Sequence, residues 1–179
     1  MNLQELLNNW NIKCDVNTLL SMWNESHRHY HNLNHLNDII GQINENKRNF
    51  TEKEYDKLLI TTLFHKAVFE SRSTKDKEKS ADFFLNCCLE KESKDIQEIK
   101  QMILNSSQTK LSESFSSFEF GIIEKNFEEL TEWENLVSQE QKSDSNYKPK
   151  RILFLESALN KFPHNTENIL KLIDFVKSK

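Results

Sequence analysis

The sequence predicts an all-α fold, a single helical domain over residues 1–179, and three observations carry that expectation. Glycine is confined to Gly41 and Gly121 and proline to Pro149 and Pro163, so the tight turns on which β-hairpins depend are scarce. Apolar residues recur at three- and four-residue steps through most of the chain. Helix-start signals, a Ser, Thr or Asn with Glu three positions later, stand ahead of several of those runs.

The elements follow in order. Residues 17–24 (NTLLSMWN) read as a short helix with Asn17 as its cap, and Leu33, Leu36, Ile39, Ile40 and Ile43 mark a second. Thr51 and Glu54 form a capping-box pattern ahead of Tyr55, Leu58, Leu59, Thr62 and Leu63, which predicts a helix over residues 52–68. Residues 77–91 and 94–105 read as a pair of helices. Ser116 and Glu119 look like a second capping box, opening a run through Phe120, Ile123, Phe127, Leu130 and Val137, with SQEQKSDSNYKP as its polar exit. Pro149 opens a helix carrying Ile152, Leu153, Leu155 and Leu159, Pro163 ends it, and Asn165 or Thr166 caps a last one to Val176. The Ser- and charge-rich stretches 70–76 and 106–118 read as loops too short to link domains.

Composition narrows the function. Two glycines eighty residues apart cannot build a Gly-rich phosphate loop, which removes the Walker and dinucleotide fingerprints. With 24 Lys and Arg against 28 Asp and Glu, interspersed, the net charge of −4 gives no general attraction for nucleic acid or an anionic membrane. The N-terminal MNLQELLNNW has neither a basic start nor an apolar core, and no run of eighteen apolar residues occurs, so a cytoplasmic protein without signal peptide or membrane span is expected. Cys14, Cys87 and Cys88 read as reduced thiols and receive no function.

Chemistry concentrates in two places. Four of the six histidines fall in SHRHYHNLNH, and His31 and His35, four residues apart, continue the row of Ile39 and Ile43. Two imidazoles at that spacing suit a metal, but two ligands do not make a site. Further along, the apolar stripe of Leu58, Leu59, Thr62 and Leu63 runs directly to Lys66, with His65 beside it. A lysine in an apolar stripe either reaches out to solvent or meets an anion, because burying its charge alone costs several kcal/mol, of order 2–7 even for an uncharged polar group.

The strings RHYHNLNHL (28–36), LFHKAVF (63–69) and KSA (79–81) resemble a bacterial branch of the HD-domain superfamily, metal-dependent phosphohydrolases. Ser117 to Phe120 and the stretches TEWENLVSQE, RILFLESAL and TENIL resemble that branch's later blocks, in the same order. The resemblance implies an HD-type helical bundle in which a histidine, a His-Asp pair and a distant Asp hold a divalent ion. His31 and His65 match two of those ligand positions. Lys66 stands where the pair has its aspartate, Ser117 where the distant aspartate stands, Asp76 and Lys77 where Asn and Glu are usual, and Ser138 where an Arg is usual. An ammonium repels a divalent cation at ligand distance, so the resemblance implies a site that has lost its metal while gaining a fixed positive charge.

Three functions follow. The first is a pseudoenzyme that binds a nucleotide or other phosphorylated small molecule between His31, His35, His65 and Lys66, with Ser117 nearby and no resident cofactor. The second is an active phosphohydrolase whose divalent metal has moved to groups such as His29, His35, Asp38 or Glu70, or in which a deprotonated Lys66 acts as the base. The third is a scaffold or regulatory subunit with a vestigial pocket. Ser117 has a plainer role as a helix cap, and Asp76, Lys77 and Glu78 one as a solvated first turn.

Overall fold

The computed structural model describes residues 2–70, 73, 75–142 and 144–179, so Ser71, Arg72 and Thr74 of the predicted 70–76 loop, Ser143 of the predicted polar exit and Met1 lie outside the described residues. The fold is all-α. Among the described residues ten α-helices form: α1 (Leu3–Asn9), α2 (Val16–Trp23), α3 (Leu33–Glu45), α4 (Glu52–Phe64), α5 (Asp76–Cys87), α6 (Lys94–Ile103), α7 (Lys110–Glu119), α8 (Phe127–Glu140), α9 (Tyr147–Lys161) and α10 (Thr166–Ser178). Among the described residues there is no strand, only one isolated antiparallel bridge between Ile12 and Cys88. No helix among them is long and apolar enough to cross a membrane. The backbone groups into two compact units, Met1–Phe118 and Glu119–Lys179.

The first unit is organised around α4. From Leu58 to Phe64 every residue of this helix is fully buried, polar Thr61 and Thr62 included, because α3, α5 and α6 all pack against it. A helix enclosed on every side needs no polar face, which explains why its sequence is only weakly amphipathic. The predicted capping box forms in full: Thr51 accepts from the Glu54 N–H, and Glu54 accepts from the Thr51 N–H at 2.9 Å. Trp23, itself fully buried, donates its indole N–H to the Leu63 carbonyl at 2.9 Å and so satisfies one acceptor of the last turn. In the second unit, α10 packs against α8 and α9 over Leu130, Trp133, Leu155, Ile169, Leu172 and Ile173.

Several expectations are corrected. The helix predicted over residues 52–68 stops at Phe64, where the Thr62 and Leu63 carbonyls that would take the N–H groups of Lys66 and Ala67 face His65 Nδ1 and Trp23 Nε1. The 106–118 stretch is not a loop, since it contains most of α7; two serines of that helix return their hydroxyls to carbonyls one turn back, Ser114 to Lys110 and Ser117 to Glu113. No helix starts at Ser116, and the reciprocal box forms instead at Asn126 and Glu129, after a 3-10 turn at Gly121–Glu124 interrupts the apolar run. The cap of α2 is Asp15 rather than Asn17, whose own N–H the Asp15 carboxylate accepts. Helix α9 begins two residues before Pro149. Asn165 precedes α10 without capping it: its amide donates to the carbonyls of Ile123 (2.6 Å) and Lys125 (2.8 Å).

Candidate functional site

The site is built where α4 ends. The Lys66–Glu70 segment has left helical geometry, so its peptide groups need other partners. Side chains supply them. Arg28, buried to 4% exposure, donates to the carbonyls of Lys66 (2.7 Å), Ala67 (2.8 Å) and His31 (3.2 Å), and its guanidinium lies 5.5 Å from the Trp23 ring and 5.1 Å from that of Phe69. Ser80 in α5 donates to the Val68 carbonyl and accepts the Val68 N–H, both at 3.1 Å. His27 Nε2 donates to the Phe69 carbonyl at 2.9 Å, and the Asp76 carboxylate accepts the Glu70 N–H at 3.0 Å. Polar side chains from outside the segment thus fix the backbone that carries Lys66 and Phe69.

Four rings converge beside it. Asn32 caps α3 by accepting the Asn34 N–H, which puts His31 just outside the helix and His35 in its first turn. His31 therefore does not extend the helical row of His35, Ile39 and Ile43; it reaches the same place from the preceding turn, with its ring 5.6 Å from His35. Tyr30 lies 4.6 Å from His35 and His65 lies 6.2 Å from it. Trp23 and Phe115, each 5.3 Å from His65, wall the cluster, while Phe69 sits 4.9 Å from His31.

Electrostatics sets the protonation. His35 is buried at 5% exposure, and that burial, reinforced by His31, His65 and Lys66, holds its pKa well below the ordinary 6.5. His35 is neutral at pH 7. His65 is buried too, and its Nδ1 faces the Thr62 carbonyl at 2.8 Å; a carbonyl only accepts, so Nδ1 carries the proton and, in the neutral ring, Nε2 carries the lone pair. Lys66 is half-buried, its ammonium 5.8 Å from the Phe69 ring. Asp76, read from sequence as solvated, is in fact buried at the start of α5: it accepts the Glu70 N–H, and burial raises its pKa while the hydrogen bonds from Glu70 and Ser73 and the charge of Lys66 pull it down.

The structure brings His31, His35, His65 and Lys66 together. Ser117 is exposed in the interior of α7, its hydroxyl donating to the Glu113 carbonyl at 3.0 Å, so it caps no helix. Of the relocated ligands considered, His29 and Asp38 are exposed and Glu70 pairs with Lys79 at 2.6 Å. The residues present do not fit the divalent metal of the resembled family: an amine occupies the aspartate position, and among the described residues no group of three or more His, Cys, Asp or Glu side chains is placed to hold an ion.

No family model, curated protein or solved structure matches the chain. The site is therefore read from its own chemistry. Two of its residues escaped sequence reasoning. Arg28 was masked by the histidines around it, and the clue was the unbroken stretch after Phe64, where a chain without Gly needs outside donors. Asp76 resembled an ordinary first-turn acid, and no periodicity announces that Glu70 folds back onto it.

Proposed function

We propose that this chain is a degenerate HD-type phosphohydrolase homologue that binds a phosphorylated small molecule of the nucleotide class at His31, His35, His65 and Lys66 without hydrolysing it. One observation carries the reading: His35 is buried, and the charged neighbours that act with that burial to disfavour its proton, His31, His65 and Lys66, are all basic. A phosphate placed among them reverses that balance, since its negative charge favours protonated imidazole and accepts charge-assisted hydrogen bonds from imidazole N–H and ammonium donors. The resemblance of RHYHNLNHL and LFHKAVF to the HD branch supports a phosphoryl ligand, and the amine in place of an acidic ligand supports binding without metal chemistry.

Thermal shift against AMP, ADP, ATP and inorganic pyrophosphate, each with and without chelator, tests the reading. At least one of them raises the melting temperature equally with chelator present, because a ligand that binds only the folded chain stabilises it. Lys66→Ala weakens that ligand tenfold or more, on the order of the 1.5–3 kcal/mol of a hydrogen bond to a charged group. Release of inorganic phosphate dependent on an added divalent ion, or an unchanged response in Lys66→Ala, removes the proposal.

A further inference from the structure

Two backbone segments carry the proposed ligand site. The turn ahead of α3 bears His31, and the stretch after Phe64 bears Lys66 and Phe69; neither is helical, so their spacing depends on side chains that reach both. Ser80, His27 and Asp76 bond to the peptides of Val68, Phe69 and Glu70. Arg28 reaches across the site. Its Nη1 donates to the Lys66 carbonyl at 2.7 Å and to the His31 carbonyl at 3.2 Å, and its Nη2 donates to the Ala67 carbonyl at 2.8 Å. The remaining N–H groups turn to Glu25, whose Oε2 accepts from Nε at 3.0 Å and pairs with Nη2 at 3.0 Å.

We propose that Arg28 is a positioning residue for phosphate binding: it ties the His31 peptide to the Lys66 and Ala67 peptides and thereby sets the distance an anion spans between imidazole and ammonium. The role rests on the ligand reading given above and adds to it the group that assembles the site. A buried guanidinium beside a basic cluster would ordinarily be taken for an anion ligand. Here its five N–H donors already face three carbonyls and a carboxylate, so the fork has none left for a phosphate. Its geometry matters more than its charge. The Trp23 and Phe69 rings lie 5.5 and 5.1 Å from the guanidinium, and a planar fork enclosed in this way holds its acceptors in fixed directions. Lysine, a point charge with three donors on a flexible stem, cannot hold four such partners in one plane. Glu25 aims the fork from an exposed position, so its truncation loosens Arg28 while sparing the core. A site held to within about half an ångström binds its ligand well, and one whose two halves drift does not.

Wild type, Arg28→Lys, Glu25→Ala and Asn126→Ala, the last altered at a helix cap in the other unit, are compared in two measurements. In the free proteins, NMR follows the NOE between the His31 and Phe69 rings, whose centroids lie 4.9 Å apart across the two segments. In chelator, calorimetric titration with AMP, ADP, ATP and inorganic pyrophosphate gives the affinity. Arg28→Lys should lose the NOE and weaken the ligand that wild type binds by about tenfold or more. Glu25→Ala should weaken the NOE and lower the affinity about threefold. Asn126→Ala should keep both at wild-type values while melting lower. Should Arg28→Lys fail to fold, Glu25→Ala decides. An unchanged ring NOE and affinity in Arg28→Lys or Glu25→Ala, or equal losses in Asn126→Ala, would overturn the proposal. A wild type that binds none of the four probes removes the ligand reading instead, and the NOE alone then decides whether Arg28 holds the two segments together.

Discussion

Two buried clusters handle charge in opposite ways. In the C-terminal unit, Arg151 lies 4.0 Å from the Trp133 ring and 5.0 Å from that of Phe154, and donates to Glu134 at 2.7 Å; Glu134, wholly buried, also accepts the Tyr147 hydroxyl at 2.8 Å. There the buried charges of Arg151 and Glu134 meet within the same unit. In the N-terminal unit, His35 is also buried, and that burial, reinforced by His31, His65 and Lys66, all basic, disfavours its proton. An internally neutralised pair serves the fold. A basic cluster held neutral keeps the capacity to take up a proton when an anion arrives.

The largest expected effect breaks the paired cluster. Glu134→Ala leaves Arg151 buried beside aromatic rings without its carboxylate, and chemical denaturation should show a loss of about 3–5 kcal/mol. Arg28→Met comes next. It removes the donor from three carbonyls at the end of α4 and should cost about 2–4 kcal/mol, with the hydrogen-exchange protection of residues 64–69 lost before that of α8–α10.

The basic cluster is exposed by pH rather than by truncation. Because the folded pKa of His35 is depressed below 6.5, the unfolded chain binds a proton that the folded chain refuses. Its contribution to stability is intact above about pH 6.5 and falls as the pH drops below that value, by up to about 1.4 kcal/mol per pH unit, until the folded pKa is reached. Denaturation series across pH 5–7.5 should show this slope in the wild type and a flatter one in His35→Gln. Smallest are the two reciprocal caps, one in each unit: Thr51→Ala and Asn126→Ala should each cost about 1 kcal/mol, a common baseline against which the two clusters are judged.

Much of the architecture was readable in the chain, and the failures have physical causes. The periodic rows of α3 and α6 and the Thr51–Glu54 box lie where expected because local spacing alone specifies them. The end of α4 was misplaced because a carbonyl of its last turn, that of Leu63, is taken by the indole of Trp23, forty residues away, and no local pattern reports a long-range donor. Likewise α7 looked like a loop because its serines read as turn formers until their hydroxyls turn back onto the helix. Within the site, His31, His35, His65 and Lys66 were legible as residue types, whereas the tautomer of His65 and the burial of Asp76 emerge only from packing.

The most direct test follows the imidazole of His35 by NMR across pH, in the free protein and with whichever of AMP, ADP, ATP or pyrophosphate stabilises it in chelator. The ring should titrate well below pH 6.5 in the free protein and move upward with ligand bound, less so in Lys66→Ala. A His35 that titrates at its ordinary value, or that ignores the bound anion, would contradict a basic cluster waiting for negative charge.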